Sequence, residues 1–234
     1  MKTIGLIGGM TWESTASYYK LLNEGIRERI GGFHSAKIIM HSVDFDEIHK
    51  LQHQNRWNES GKILAKHAEA LEVAGADFIL ICTNTMHKVT HIIEKNLSIP
   101  ILHIAQATAN TMKEKNCKKA ILLGTKFTMD EDFNKKIFEE NGIEIVTPDE
   151  KSKTLINNII FNELVLGKIL EKSKKEFIKT IEKLYSSDKK IDSVILGCTE
   201  IGLLIKKGDI NLQIFDTTPL HVNEALQLAL SKKI

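Results

Sequence analysis

Cysteine, proline and long hydrophobic runs are all scarce in this chain of 234 residues. Its three cysteines, Cys82, Cys117 and Cys198, lie far apart without paired spacing. This spacing argues against a disulfide framework or a zinc ribbon and favours a reducing compartment. No segment reaches the roughly 18 apolar residues that a membrane span needs, and the apolar run at the start is too short for a secretory signal. We therefore expect a soluble, cytoplasmic protein that does not bind membranes.

An excess of charge of either sign is also lacking. The chain has 32 basic and 30 acidic residues, which leaves a net charge of +2. Its lysines are scattered along the helical stretches, so there is no strong electrostatic case for nucleic acid. The expected partner is a small molecule.

Short apolar runs alternate with longer segments of helical period, which is the pattern of an α/β protein built on parallel, buried sheets. The predicted strands are 3–7, 37–42, 78–82, 101–104, 120–123, 143–146, 193–197 and 213–215. The predicted helices are 13–29, 57–74, 87–95, 107–114, 129–141, 151–166, 168–184 and 219–230.

An internal repeat predicts two similar α/β halves. At an offset of 115 residues, the segment DFILICTN from Asp77 falls on DSVILGCT from Asp192, and GLIGG from Gly5 falls on AILLG from Ala120. One offset that serves two separate matches is unlikely by chance. We expect two pseudosymmetric domains, 1–98 with 208–234 and 99–207, each with about four parallel strands. Their strand ends are expected to face one cleft that holds the active site.

Ligands of open α/β sheets bind beyond the carboxyl ends of the strands, so the residues directly after each apolar run are the candidates. Cys198 follows a buried strand; a helix start at this position would favour a thiolate through its aligned N–H groups, and the alternative is an inert buried cysteine. The repeat aligns Cys198 with Thr83 and not with Cys82. Because successive side chains of an extended segment alternate, Thr83 and Cys198 should point into the cleft and Cys82 away from it. Cys117, in a lysine-rich loop, is expected to be incidental.

Other polar residues surround these two positions. Asn84, Thr85, Thr199 and Glu200 can bind a small molecule with carboxylates and an ammonium group, or cap helices. His87 can act as an acid, a base or an orienting donor, or be a partly exposed helical histidine. The glycine pair in GLIGGM does not fit a dinucleotide or P-loop motif. It either brings backbone N–H groups close to a carboxylate or only forms a tight turn.

The motifs GLIGGMTWEST, CTNTMHK, LLGT and GCTEI, in this order, resemble the aspartate/glutamate racemase family across the whole chain. Members of this family are cofactor-independent amino-acid racemases. Thr83 stands where most members have their first catalytic cysteine, which resembles the branch specific for L-aspartate and L-glutamate, with a threonine and cysteine pair. Glu200 gives GCTE, as in aspartate racemases, whereas glutamate racemases of the cell-wall pathway usually have histidine there.

The resemblance implies a homodimer without a cofactor, and substrate contacts at seven positions; no metal site is expected. These are Met10, Gln52, Thr83, Asn84, Thr85, Thr199 and Glu200. Gln52 lies in a polar stretch, QHQNR, that is otherwise typical of a solvated loop between a strand and a helix. Thr83 and Cys198 would then be the two bases of a racemase, one on each face of the substrate Cα. A hydroxyl is a much weaker acid than a thiol, so Thr83 would need help from His87, a water or the substrate.

Other functions remain open on the residues alone. A decarboxylase or isomerase of a small diacid could use Cys198 alone, and a catalytically silent binder of acidic amino acids would need no base. A pyridoxal enzyme is disfavoured, because no lysine lies in a strand-end cluster.

Overall fold

A computed structural model describes residues 1–231 of the chain. By its internal contacts the chain divides into two compact units. The first comprises Met1–Ile104 and the chain from His221 onward, and the second comprises Ala105–Leu220.

Each unit contains one parallel sheet of four strands, which confirms the predicted α/β class. In the first unit the strand order is β2-β1-β3-β4, and in the second it is β6-β5-β7-β8. These orders are equivalent when β1 is matched with β5, as the repeat predicts. The strands are β1 (Ile4–Gly8), β2 (Ile38–Ser42), β3 (Phe78–Ile81), β4 (Ile101–Leu102), β5 (Lys119–Gly124), β6 (Glu144–Val146), β7 (Ser193–Gly197) and β8 (Gln213–Asp216).

The observed strand pairing places both domain boundaries at positions that differ from the predicted ones. The prediction assigned strand 101–104 to the second domain and strand 213–215 to the first. Instead, β4 pairs with β3 inside the first unit, and β8 pairs with β7 inside the second. The boundaries therefore fall after residues 104 and 220, not after 98 and 207. Each sheet has a short fourth strand at its edge, and the sequence pattern alone did not show which sheet it joins.

Eleven helices of the described residues surround the sheets. They are α1 (Trp12–Ile30), α2 (Phe45–His53), α3 (Trp57–Val73), α4 (Thr90–Ile93), α5 (Ile104–Glu114), α6 (Lys126–Asp130), α7 (Asp132–Glu140), α8 (Glu150–Asn162), α9 (Glu171–Ser187), α10 (Ile201–Leu204) and α11 (Thr217–Leu230). Three short 3₁₀ segments lie at Thr85–Val89, Glu94–Asn96 and Leu164–Leu166. Within residues 1–231, no helix is both long enough and apolar enough to cross a lipid bilayer.

The central strands are apolar because both faces of each sheet are covered. Every residue of β1, β3 and β7 is buried. In the first unit, α1 covers the sheet with Tyr18, Leu22 and Ile26, which recur at the spacing of one helical face. This packing holds the carboxyl ends of the strands, and the turns that follow them, in fixed positions.

Three predicted segments differ from the structure. Residues 45–53 form α2, so Gln52, which was interpreted as part of a solvated loop, lies near the end of a helix, and the turn begins only after His53. The predicted helix 129–141 is two helices, because residue 131 is extended between α6 and α7. The predicted helix 87–95 is the short helix α4 between two 3₁₀ segments.

Candidate active site

The turn that follows β3, residues 82–87, carries most of the predicted site residues of the first unit. Thr83 is partly exposed, whereas Cys82, Asn84, Thr85, Met86 and His87 are all buried. We call this segment the first turn. Its position at the carboxyl edge of a parallel sheet is where ligands of α/β proteins bind.

Cys82 is a core residue, as the alternation of side chains predicted. Its side chain is fully buried and belongs to the apolar cluster that includes Leu6, Tyr18 and Leu80. Burial alone raises the pKa of the Cys82 thiol far above its ordinary value. The main chain at this position accepts a hydrogen bond of 2.7 Å from the Ser14 hydroxyl, which ties the start of α1 to the first turn.

The backbone of Thr83 is fixed on both sides. Its N–H donates to the carbonyl of Ile81 at 2.8 Å. Its carbonyl lies 2.9 Å from Nδ1 of His87. His87 therefore contacts the peptide carbonyl of Thr83 through Nδ1. Of the alternatives for His87, the geometry matches an orienting donor, and the side chain is 2% exposed, not partly exposed.

The remaining predicted contacts of the first unit lie around the same edge. Met10 is buried directly after β1, which is hydrogen-bonded to β3 in the sheet. Gln52 is also buried, on α2, and its amide nitrogen lies 3.0 Å from the sulfur of Met86 in the first turn. The structure thus brings Gln52 to the first turn, although the sequence interpretation placed it in a solvated loop. Asn84 and Thr85 are buried within the turn itself.

The glycine pair after β1 has a structural reason in each position. Gly9 has a φ of +93°, and a side-chain Cβ there would lie 2.1 Å from the carbonyl oxygen of Val43. A Cβ at Gly8 would lie 2.3 Å from the methyl group of Thr15. The N–H of Gly9 donates to the hydroxyl of Thr15 at 2.8 Å, so it already has a partner inside the protein. These contacts favour the tight-turn interpretation of the pair over a carboxylate-binding one.

In the second unit, the turn that follows β7 holds Cys198, Thr199 and Glu200. We call these residues the second turn. The sulfur of Cys198 lies 3.0 Å from Oε2 of Glu200, and the hydroxyl of Thr199 donates to the same oxygen at 2.7 Å. Cys198 and Glu200 are buried and Thr199 is partly exposed. The structure therefore joins three of the predicted residues in one hydrogen-bonded group.

The expectation that a helix start favours a Cys198 thiolate is wrong for this structure. The pKa of Cys198 is raised well above its ordinary value, first by burial and then by the negative charge and the hydrogen bond of Glu200. The helix that follows, α10, has only four residues, so its dipole is small. Cys198 is therefore a protonated thiol whose hydrogen points at a carboxylate.

Sequence reasoning missed Asp216, the last residue of β8. Asp216 is half-buried, and desolvation raises the pKa of its carboxyl to about 6; its charge in turn raises the pKa of Cys198. A Cβ at Gly202 would lie 1.9 Å from Oδ2 of Asp216, so the glycine of α10 leaves room for this carboxyl. The available signal was a polar residue directly after a predicted strand, the same signal that identified the other candidates.

Cys117 lies in the loop between α5 and β5, as predicted, and its side chain is buried. It packs with Met112 and Phe138 in a core cluster of the second unit, and its sulfur lies 3.6 Å from the amide oxygen of Gln213. It remains outside both turns. Among residues 1–231, no three or more His, Cys, Asp or Glu side chains are grouped so that they could hold a metal ion.

Comparison with known proteins finds similarity to amino-acid racemases. The family model described as Asp/Glu/hydantoin racemase matches residues 7–225. A candidate Asp/Glu racemase from Yersinia pestis is 44% identical, with a TM-score of 0.91 over 99% of this chain and 100% of that one. An aspartate racemase homologue from Pyrococcus horikoshii is 39% identical, with a TM-score of 0.86 over the same shares.

Two further relatives are more distant. The broad-specificity amino-acid racemase RacX of Bacillus subtilis is 26% identical over 163 residues, which is 69% of this chain and 68% of that protein. Unliganded arylmalonate decarboxylase is 12% identical over 100% of this chain and 95% of that one, with a TM-score of 0.53, so the likeness concerns the fold alone.

Proposed function

The chain belongs to the Asp/Glu/hydantoin racemase family, and from this we propose that it interconverts the L and D forms of aspartate or glutamate without a cofactor. The observation that carries the proposal is the hydrogen bond between Cys198 and Glu200. It lies at the strand end that the internal repeat matches with Thr83. Two equivalent strand ends, each with a group that can carry a proton, are what a two-base racemase requires.

In the proposed mechanism, Thr83 and Cys198 act on opposite faces of the substrate Cα. One group removes the α-proton while the other donates a proton to the opposite face, so the configuration inverts. Because Cys198 is a thiol in the substrate-free structure, it is ready to donate. Donation of this proton to Cα leaves Cys198 as a thiolate, and the thiolate is the base for the reverse direction.

Substrate binding can itself change the pKa of Cys198. An α-ammonium group placed against Glu200 would offset the negative charge that raises the pKa of Cys198. Substrate binding would then lower the pKa of the thiol at the moment when the thiolate is needed. This role agrees with the substrate contact that the resemblance implies for Glu200 and for its neighbour Thr199.

In the first unit, we propose that Gln52, Asn84 and Thr85 donate hydrogen bonds to the carboxylates and that Met10 contacts the substrate beside them. Gln52 offers the clearest physical reason. Its amide N–H points at the thioether sulfur of Met86, which is a weak acceptor. Exchange of that contact for a charged carboxylate oxygen gives a stronger hydrogen bond. Gln52 can therefore bind substrate without losing a strong hydrogen bond.

Thr83 makes the reaction unsymmetrical. Within residues 1–231 its hydroxyl has no side-chain partner to activate it, so water or a substrate carboxylate must take that part. We propose that the enantiomer served by Cys198 exchanges its α-proton faster than the other one. The resemblance to the branch with a threonine and cysteine pair assigns the L enantiomers as the preferred substrates.

A second candidate function rests on the protonation state of Cys198. A protonated thiol beside a carboxylate suits a decarboxylase or isomerase of a small diacid, which needs only one proton donor. A silent binder of acidic amino acids would match the lack of an activated base at Thr83. Release of carbon dioxide distinguishes a decarboxylase from a racemase. Binding of the amino acid without isotope exchange distinguishes a silent binder.

The experiment that tests the proposed function is chiral chromatography of L- and D-aspartate and L- and D-glutamate after incubation with the purified protein. We expect the opposite enantiomer to appear from at least one of the two amino acids. Cys198→Ser should abolish its appearance. Substrates that stay enantiomerically pure with the unmodified protein would overturn the proposal.

We also propose a homodimer in the cytoplasm. Trp12 and Tyr19 of α1 are 69% and 54% exposed, and Phe33 just beyond this helix is fully exposed, so the surface of the first unit carries large uncovered aromatic side chains. Three cysteines without disulfides suit a reducing compartment. Light scattering after size exclusion should give twice the mass of one chain, and Trp12→Ser should lower that mass.

A further inference from the structure

A cluster of three histidines, two of them buried and one half-buried, contacts the first turn through His87 and takes no part in the proposed mechanism. His87, His103 and His221 lie together in the first unit, with ring centroids 4.5 Å apart for His87 and His103 and 5.8 Å apart for His87 and His221. His87 is the one that contacts the turn. Its two ring nitrogens have different partners, and those partners fix its protonation.

The proton of His87 lies on Nδ1. The backbone N–H of Ile104 can only donate, and it points at Nε2 from 3.2 Å, so Nε2 must be an unprotonated acceptor. The carbonyl of Thr83 can only accept, and it lies 2.9 Å from Nδ1, which must therefore carry the hydrogen. The ring links the turn after β3 to the start of α5, just beyond β4, in one tautomer.

The neighbouring ring is fixed by the same reasoning. Nε2 of His221 donates to the carbonyl of Leu102 at 3.0 Å, and Nδ1 accepts from the hydroxyl of Tyr18 at 2.8 Å. Burial lowers the pKa of His87 to about 4 and that of His221 to about 3. Burial and the two neighbouring histidines lower the pKa of His103 to about 2. All three rings are therefore neutral at ordinary pH.

We infer that His87 is a positioning residue for Thr83, which it holds through the hydrogen bond from Nδ1 to the Thr83 carbonyl while taking no part in proton transfer. The inference rests on the proposed racemase function. The peptide of Thr83 is then held at its N–H by Ile81 and at its carbonyl by His87. Because the hydroxyl is attached to this same residue, loss of the carbonyl contact frees it to leave the position from which it reaches the substrate.

Two substitutions separate the two contacts of the ring. His87→Asn places an amide N–H near the position of Nδ1 and retains the donor to Thr83. His87→Gln places an amide oxygen near the position of Nε2 and retains the acceptor for Ile104, but it lacks the donor to Thr83. His221→Gln is the matched control, because it perturbs the same cluster without touching Thr83 or the substrate.

The readout is deuterium exchange from solvent into each enantiomer, with thermal melting to establish folding. Thr83→Ala identifies the enantiomer that Thr83 serves, and Cys198→Ser identifies the other. We expect His87→Gln to slow exchange of the Thr83 enantiomer tenfold or more and to change that of the Cys198 enantiomer less than threefold. In His87→Asn and His221→Gln, the exchange rates of both enantiomers should stay within threefold of those of the unmodified protein.

Three results would overturn the inference. If His87→Asn is as inactive as His87→Gln, the ring takes part in proton transfer. The same conclusion follows if the exchange rate, measured against pH, has an inflection in the unmodified protein that His87→Asn lacks. Equal slowing of both enantiomers by His87→Gln would point to a general structural role. Absence of exchange in the unmodified protein would instead overturn the proposed function, and ¹⁵N NMR of His87 would then still show whether Nδ1 carries the proton.

Discussion

The thiol of Cys198 donates to Oε2 of Glu200 at 3.0 Å. After burial, this carboxylate is the largest cause of the raised pKa of the thiol. A carboxylate beside a thiol disfavours the thiolate, which is the opposite of what a helix start does. The substrate-free protein therefore holds a proton donor at this strand end. The chemistry proposed for the second unit follows from this pair.

The two cysteines at strand ends should respond differently to substitution. Cys198→Ser should reduce racemisation at least a hundredfold, because an alcohol is a much weaker acid than a thiol. Cys82→Ala should leave activity within about threefold and cost about 1 kcal/mol of stability, because it removes one atom from a packed core. Chiral chromatography and urea unfolding measure the two effects. Loss of activity in Cys82→Ala would show that the side-chain alternation does not identify the catalytic position.

Removal of the carboxylate at Glu200 should lower the pKa of Cys198. Glu200→Gln removes both the charge and the charged acceptor that raise this pKa, so the thiolate should form at lower pH than in the unmodified protein. Asp216→Asn should lower the pKa less, because the effect of Asp216 is smaller than that of Glu200. The rate of thiol alkylation against pH measures both shifts in a Cys82→Ala, Cys117→Ala background. An unchanged or raised pKa in Glu200→Gln would contradict this electrostatic account.

The histidine cluster should make the protein sensitive to acid. The pKa values of His87, His103 and His221 are lowered in the folded state, so the unfolded chain takes up protons near pH 6.5 where the folded chain does not. Stability should be full above about pH 6.5 and fall as the pH drops toward 4. The loss at pH 5 should be about 2 kcal/mol per histidine.

Urea unfolding at pH 7.5 and pH 5 measures this loss. His221→Gln should make it smaller by removing one of the three groups. His91→Gln, which removes an exposed histidine, is the matched control and should leave it unchanged. An equal loss in both variants would place the acid sensitivity elsewhere in the chain.

Gly9 should tolerate no side chain. Its φ of +93° disfavours other residues, and a Cβ would lie 2.1 Å from backbone at Val43. Gly9→Ala should therefore cost about 3 kcal/mol or more. Gly142→Ala is the matched control, because its φ is +77° but a Cβ there meets no atom within 4 Å; it should cost about 1 kcal/mol. Equal melting temperatures for the two variants would show that the contact with Val43 relaxes without cost.

The strands could be predicted because each is a short apolar run with a polar residue at its end. The repeat then predicted two similar halves with about four strands each and matched Thr83 with Cys198. Gln52 could not be placed from the sequence, because the polar residues around it obscure the helical spacing of the buried residues Ile48 and Leu51 in α2. Its burial depends on packing against the first turn, which no local pattern contains.

The protonation state of the site was also beyond the sequence. The spacing of Cys198 and Glu200 in GCTE does not reveal whether the carboxylate faces the thiol or turns away. Only the geometry shows that Glu200 receives the thiol hydrogen, and only the fold brings Asp216 close enough to add to the effect. The same applies to His87, whose role depends on Ile104, seventeen residues further along the chain.

Deuterium exchange from solvent into the α-position of L- and D-aspartate tests the central claim most directly, namely that Thr83 and Cys198 serve opposite faces of one substrate. We predict unequal exchange of the two enantiomers, loss of the faster exchange in Cys198→Ser, and a more balanced ratio in Thr83→Cys. Equal exchange of both enantiomers by the unmodified protein, or full exchange in Cys198→Ser, would contradict the account.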